Sequence, residues 1–166
     1  YAYVSGPCAL NGVTLSATGT GNCVVQATIA ADADYQSSTS STVTVAIGKG
    51  TATIIVSASN ASPLIGTSVT LTANVTPTGA TGTITFKDGQ QTLGTANLSG
   101  GLATFSTTSL AVGAHTITAV YSGDSNYTGV TSSSLTVTTI KPNPTADKNV
   151  RNIVNRQTQI VQRATA

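Results

Sequence analysis

Residues 117–137 read ITAVYSGDSNYTGVTSSSLTV, and 92 positions upstream residues 25–45 read VQATIAADADYQSSTSSTVTV. The match needs no gap. Ala27 falls on Ala119, Asp32 on Asp124, Tyr35 on Tyr127, Thr39-Ser40-Ser41 on Thr131-Ser132-Ser133, and Thr44-Val45 on Thr136-Val137. A period of this size exceeds that of solenoid repeats and suits a β-sandwich module of about 100 residues. The sequence therefore reads as the end of one module followed by the whole of a second.

Composition agrees with sheet. Charged residues are 7% of the chain, Glu, Met and Trp are absent, and 39% of residues are hydrophobic. Thr, Val and Ser suit a pleated, half-buried surface, whereas a soluble helix draws on Glu, Lys, Leu and Ala. Regular apolar alternation separates this pattern from disorder. Apolar runs such as Thr53-Ile-Ile-Val56 are too short to cross a bilayer. Tyr1, with no initiator Met or leader before it, reads as a processing point or the start of a fragment.

Within the second module, alternation predicts seven strands: Thr53 to Ser57, Val69 to Val75, Ile84 with Phe86, Leu93 to Leu98, Ala103 with Phe105, Ile117 to Tyr121, and Leu135 with Val137. Pro77-Thr78-Gly79, Asp88-Gly89, Ser99-Gly100-Gly101, Val112-Gly113 and Gly123-Asp124 supply the turns between them. The boundaries that follow are residues 1–47 for the C-terminal part of a first module, 48–51 for a linker, 52–139 for a complete module, and 140–166 for a proline-containing segment with a helix. The first part predicts only about four strands, near Tyr1 to Ser5, Val13 to Ala17, Val24 to Ile29 and Thr42 to Ile47. That leaves an open sheet edge, to be completed by upstream sequence or by a neighbouring molecule.

Two prolines in Lys141-Pro-Asn-Pro-Thr145 end the last strand, and Thr145 offers a helix N-cap. Val150, Ile153, Val154 and Val161 then fall at helical spacing as a candidate assembly face. That stripe would dock on its own module, on another chain or on a further domain. Net charge is +2, split into a faintly acidic body and a basic tail. The tail's dilute charges and lack of aromatic residues exclude a nucleic-acid footprint.

Candidate chemistry is sparse. Cys8 and Cys23 are spaced for a disulfide closing a hairpin-sized loop; the competing reading is two buried thiols. His115 has no Cys or Asp at a motif spacing, so no catalytic constellation and no metal or cofactor site is expected. Asp32, Asp34, Asp124 and Asn126 offer too few oxygens for Ca²⁺ and read as turn-forming side chains, with Tyr35 and Tyr127 as sandwich corners. The Asn-X-Ser/Thr triplets at Asn60, Asn74, Asn97 and Asn126 are expected by chance in so Ser- and Thr-rich a chain. A glycan platform would want free aromatics, and only Tyr1 and Tyr3 are not claimed by predicted core or corners.

Residues 51–139 contain TPTGATGTITFKDG and AVYSGDSNY, and in this order they closely resemble the bacterial Ig-like repeats strung in tandem through large surface and secreted proteins. Residues 4–35, VSGPCALNGVTLSATGTGNCVVQATIAADADY, look like the end of a related repeat whose two cysteines occur together. The tail NPTADKNVRNIVNRQTQIVQRA is similar to the segment leading into the outer-membrane β-barrel of autotransporters. These resemblances imply an all-β, non-enzymatic, extracellular structural module of a bacterial adhesin or stalk. Its partners would be neighbouring Ig-like modules and an outer-membrane β-barrel outside this chain. A self-assembling fibre subunit, forming a homo-oligomer or filament, and a module binding glycan or host protein are the alternatives.

Overall fold

The computed structural model describes residues 2–143, 148, 151–153 and 155–157. Fifteen strands run through residues 2–139. Among them, β8 (Thr53–Ala58), β9 (Val69–Thr76) and β12 (Leu102–Thr107) form one antiparallel sheet in the order β12-β9-β8. The facing sheet contains β10 (Thr83–Asp88), β11 (Gln91–Asn97), β13 (Gly113–Tyr121), β14 (Val130–Thr131) and β15 (Leu135–Thr139). There β13 is central, pairing with β10 on one side and with β14 and β15 on the other.

Alternation dictates the packing, because successive side chains of a strand point to opposite faces. In β9 the inward set is Val69, Leu71, Ala73 and Val75, and in β13 it is Ile117, Ala119 and Tyr121; all are buried. With Ile54, Val56, Ile84, Phe86, Ala103 and Val137 they fill one continuous core between the two sheets. Residues 61–65 run beside the end of β15, where Thr138 N–H donates to Ala61 O and Ile65 N–H to Ile140 O. This crossing ties the start of the module to its last strand. All seven expected strands are present, and the structure adds the two-residue β14. Pairing in so short a strand comes from Ser132, whose N–H donates to Ala119 O while its Oγ accepts Ala119 N–H.

Residues 2–47 hold seven strands where four were expected: β1 (Ala2–Ser5), β2 (Cys8–Asn11), β3 (Thr14–Ala17), β4 (Gly21–Gln26), β5 (Thr28–Ile29), β6 (Ser38–Thr39) and β7 (Val43–Ile47). The additional ones are β2, which forms a hairpin with the expected β3, β5, which a break separates from β4, and β6, which pairs with β5. Some strand pairings match between the two segments. Cys23 opposes Val45 as His115 opposes Val137, and Thr28 opposes Thr39 as Val120 opposes Thr131. Ser40 Oγ accepts Ala27 N–H just as Ser132 Oγ accepts that of Ala119.

No helix among the described residues is long and apolar enough to cross a membrane. The backbone is helical at Lys148, 151–153 and 155–157. Ile153 is 58% exposed there. Tyr1, Thr145, Val150, Val154 and Val161 lie outside the described residues.

Candidate functional site

The most heavily bonded surface outside the core is the joint where the linker meets the loop between β13 and β14. That loop is built by Asp124. Its Oδ1 accepts the N–H groups of Asn126 and Tyr127, each at 2.8 Å, its Oδ2 accepts Thr81 N–H at 2.8 Å, and its own N–H donates to Tyr127 O. A short acidic side chain bonded to backbone two and three residues on is the Asx device that sets a turn. The Thr81 N–H foremost, with those of Asn126 and Tyr127, holds the Asp124 carboxyl well below the usual carboxylate range.

The linker meets this loop at a single isolated bridge. Gly50 N–H donates to Asn126 O at 2.8 Å and Gly50 O accepts Thr128 N–H at 3.0 Å, a parallel bridge to Tyr127. A Cβ on Gly50 would stand 3.3 Å from two carbons of the Tyr127 ring, so glycine lets the backbone lie against the aromatic face. Lys49 Nζ donates to Asp124 O, and Thr20 Oγ1 in the loop between β3 and β4 donates to Ser125 O at 2.9 Å. Ala17 to Thr20, Gly48, Gly50, Asn126 and Tyr127 line the shallow cleft that remains, with a volume of about 260 Å³. The joint thus rests on one isolated backbone bridge from the linker to the second segment and one side-chain hydrogen bond, Thr20 to Ser125, from the first.

Asp32 makes the same turn in the first segment. Its Oδ1 accepts the N–H groups of Asp34 at 2.9 Å and Tyr35 at 2.8 Å. The Asx reading of both loops therefore holds, and among the described residues no three His, Cys, Asp or Glu gather as metal ligands. Tyr127 packs against the core and Gly50, as a corner residue should. Tyr35 departs from that expectation: it is 75% exposed, and among the described residues nothing lies against its loop as the linker lies against Tyr127.

Cys8 and Cys23 form a disulfide with Cα atoms 5.9 Å apart, tying β2 to β4. At the position matching Cys23 the second segment has His115, whose Nδ1 lies 2.6 Å from Asp88 Oδ2 and whose Nε2 lies 2.8 Å from Ala111 O. Both neighbours are acceptors, so the doubly protonated ring satisfies the pair best. The Ala111 carbonyl first, and then Asp88, raise the His115 pKa against the opposing effect of burial. With both nitrogens engaged, neither is free to take a proton from a nucleophile, and the dyad acts as a clasp between β10 and β13. Motif spacing missed Asp88, which sits 27 residues upstream and reads as a turn residue beside Gly89. The signal available was strand register, since Asp88 pairs with Ile117.

The sequence profile of the bacterial Ig-like domain (group 3) matches residues 56–140. Domains of this kind are generally non-catalytic and typical of extracellular and surface proteins. No curated protein and no solved structure matches the chain. With just over half of its length under that profile, and with the two-sheet sandwich described above, the chain belongs to the bacterial Ig-like domain family.

Proposed function

We propose that this chain is a structural segment of a bacterial cell-surface adhesin or stalk, in which Ig-like modules space or present other domains. Residues 1–47 are then the C-terminal part of one module, 48–51 the linker and 52–139 a complete second module. The observation that carries this reading is the joint. A linker that was only a tether would make no specific bonds, whereas Lys49 and Gly50, though exposed, are bonded to Asp124, Asn126 and Thr128. Bonding that shortens the free linker reduces its bending and keeps successive modules in line.

The stretch from Ile140 onward then leads toward whatever anchors the stalk. The similarity of the tail to autotransporter linkers supports an outer-membrane β-barrel in that role.

Backbone ¹⁵N relaxation tests the spacer. Residues 21–47 and 52–139 should tumble with one correlation time, and Gly50→Pro, which removes the N–H donor to Asn126, should release them to tumble separately. Independent tumbling of the unaltered chain would refute a stiff spacer. Antibody raised against the chain should label intact, unpermeabilised cells that make the full-length protein, and labelling only after permeabilisation would refute the surface location.

A further inference from the structure

Two dipeptides in this chain, Asn11-Gly12 and Asp88-Gly89, place an Asn or Asp directly before glycine. With no side chain on the following residue, the backbone nitrogen can reach the carbonyl carbon of the preceding side chain. The fold treats the two sites in opposite ways. Asp88 ends β10 within the five-stranded sheet; its Oδ1 accepts Thr116 N–H, its Oδ2 lies 2.6 Å from His115 Nδ1, and Gly89 N–H donates to Thr116 O. Carboxyl group and nucleophile are both occupied there.

At the other site both are free. Asn11 ends β2 and pairs with Thr14, so Gly12 and Val13 form a two-residue hairpin loop. Gly12 has φ +60° and Val13 has no positive φ, the pattern of a II′ turn. Asn11 and Gly12 are exposed, Val13 is 83% exposed, and a Cβ on Gly12 would meet nothing within 4 Å. Among the described residues neither the Asn11 side-chain amide nor the Gly12 N–H has a hydrogen-bond partner. Strands β2 and β3 form a sheet of their own with no third strand. So small a hairpin frays at its tip, and Asn11 can leave its extended conformation for the loss of the Asn11–Thr14 pair alone.

We propose that Asn11 is a site of spontaneous deamidation, with water as the only co-reactant. The Gly12 nitrogen, its proton lost to hydroxide, forms a bond to Asn11 Cγ. The Cγ–Nδ2 bond breaks, and ammonia leaves with a proton taken from water. Water then opens the resulting succinimide ring at one of its two carbonyls. Attack at Cγ restores the ordinary main chain and leaves aspartate, whereas attack at the main-chain carbonyl leaves the chain running through Cγ as isoaspartate. Either product carries a carboxylate, which lowers the formal net charge of +2 by one. Isoaspartate also adds one methylene to the main chain, so the Asn11–Thr14 pair loses its register while Cys8, bonded to Cys23, still holds the far end of β2. Asn22, Asn60, Asn74, Asn97 and Asn126 precede Cys, Ala, Val, Leu and Tyr, whose side chains hinder the same attack.

Peptide mapping by mass spectrometry of the whole chain, aged in mildly alkaline buffer with and without urea, tests this. The unfolded chain gives each site its rate free of structure, so the ratio of the two rates reports what folding does. Asn11 should convert in the folded chain within several-fold of its rate in urea, with isoaspartate among the products and ahead of Asn22, Asn60 and Asn126. Asp88 should isomerise far more slowly folded than unfolded. Folding that slows both sites alike, or an Asn11 that converts no faster than Asn22, would overturn the proposal. Asn11→Ser should remove the acidic species that isoelectric focusing resolves in the aged parent, and persistence of that species in the variant would overturn it equally.

Discussion

Gly94→Ala should be among the most damaging single-methyl additions to the complete module. Gly94 lies in β11 opposite Phe86, and the ring of Phe105 from the other sheet rests on it. A Cβ built there stands 2.2, 2.6 and 2.8 Å from three ring carbons of Phe105, against about 3.5–4.0 Å for carbons in contact. The ring must therefore retreat by roughly 1–1.5 Å, which disturbs its stacking on Phe86, where the centroids are 5.9 Å apart. Overpacking costs about 1–3 kcal/mol and an aromatic pair contributes about 0.5–1.5 kcal/mol, so a loss of about 2 kcal/mol is expected. For a module of this size that lowers Tm by roughly 10 °C. Calorimetry on the parent, Gly94→Ala, Phe105→Ala and the double variant isolates the cause. With the ring gone the added methyl has room, so its cost should fall to about a few tenths of a kcal/mol and the pair should couple by most of the original loss. If Gly94→Ala costs as much without Phe105 as with it, the steric account is wrong.

Three further outcomes are expected. His115 has its pKa raised by Ala111 O and Asp88, so its contribution to stability is full below the unfolded value of 6.5 and is lost as pH rises through the higher folded value. Melting curves between pH 5 and 9 should show that decline, and His115→Gln should abolish it. Reducing the Cys8–Cys23 disulfide should remove up to about 3 kcal/mol from the first segment on the chain-entropy account. That loss should be read as faster amide exchange in β4, with the main calorimetric transition unmoved. Tyr121→Phe should change stability by no more than about 1 kcal/mol in urea unfolding, because the buried hydroxyl of Tyr121 lies near Asp124 and Thr81 without a well-formed hydrogen bond among the described residues.

How much could be read from the residues depended on the range of the interaction. Strands of the second module follow alternation, a local signal, and their boundaries moved little when the sheets were seen. Reading Asp32 and Asp124 as turn-forming side chains anticipated the hydrogen bonds seen at both, whereas the bonds of Ser40 and Ser132 to backbone N–H groups were not foreseen. The His115–Asp88 clasp was not legible, because its partners meet only after β10 and β13 pair. The linker's bonding was hidden for the same reason. Gly48 and Gly50 read only as part of a short linker, and the approach of Tyr127 reveals why a side chain would be unwelcome at residue 50. Tyr35 shows the converse error, since a residue matched to a corner position needs something in the corner to cover it.

The joint also constrains what can follow the complete module. Carrying the repeat forward from the linker places Lys141 where Lys49 stands and Pro142 where Gly50 stands. Lysine at that position preserves the ammonium that would reach a carbonyl like that of Asp124. Proline does not preserve the rest. It has no N–H to donate as Gly50 does to Asn126, and its ring occupies the space into which even a methyl on Gly50 would press against an aromatic face. A joint of the kind formed by residues 48–51 therefore cannot recur in the same register after Ile140. The change of composition at Lys141 therefore also marks a change in the contacts open to the chain: upstream Gly50 can form its backbone bridge to the loop at Tyr127, and at Pro142 the N–H that such a bridge needs is missing.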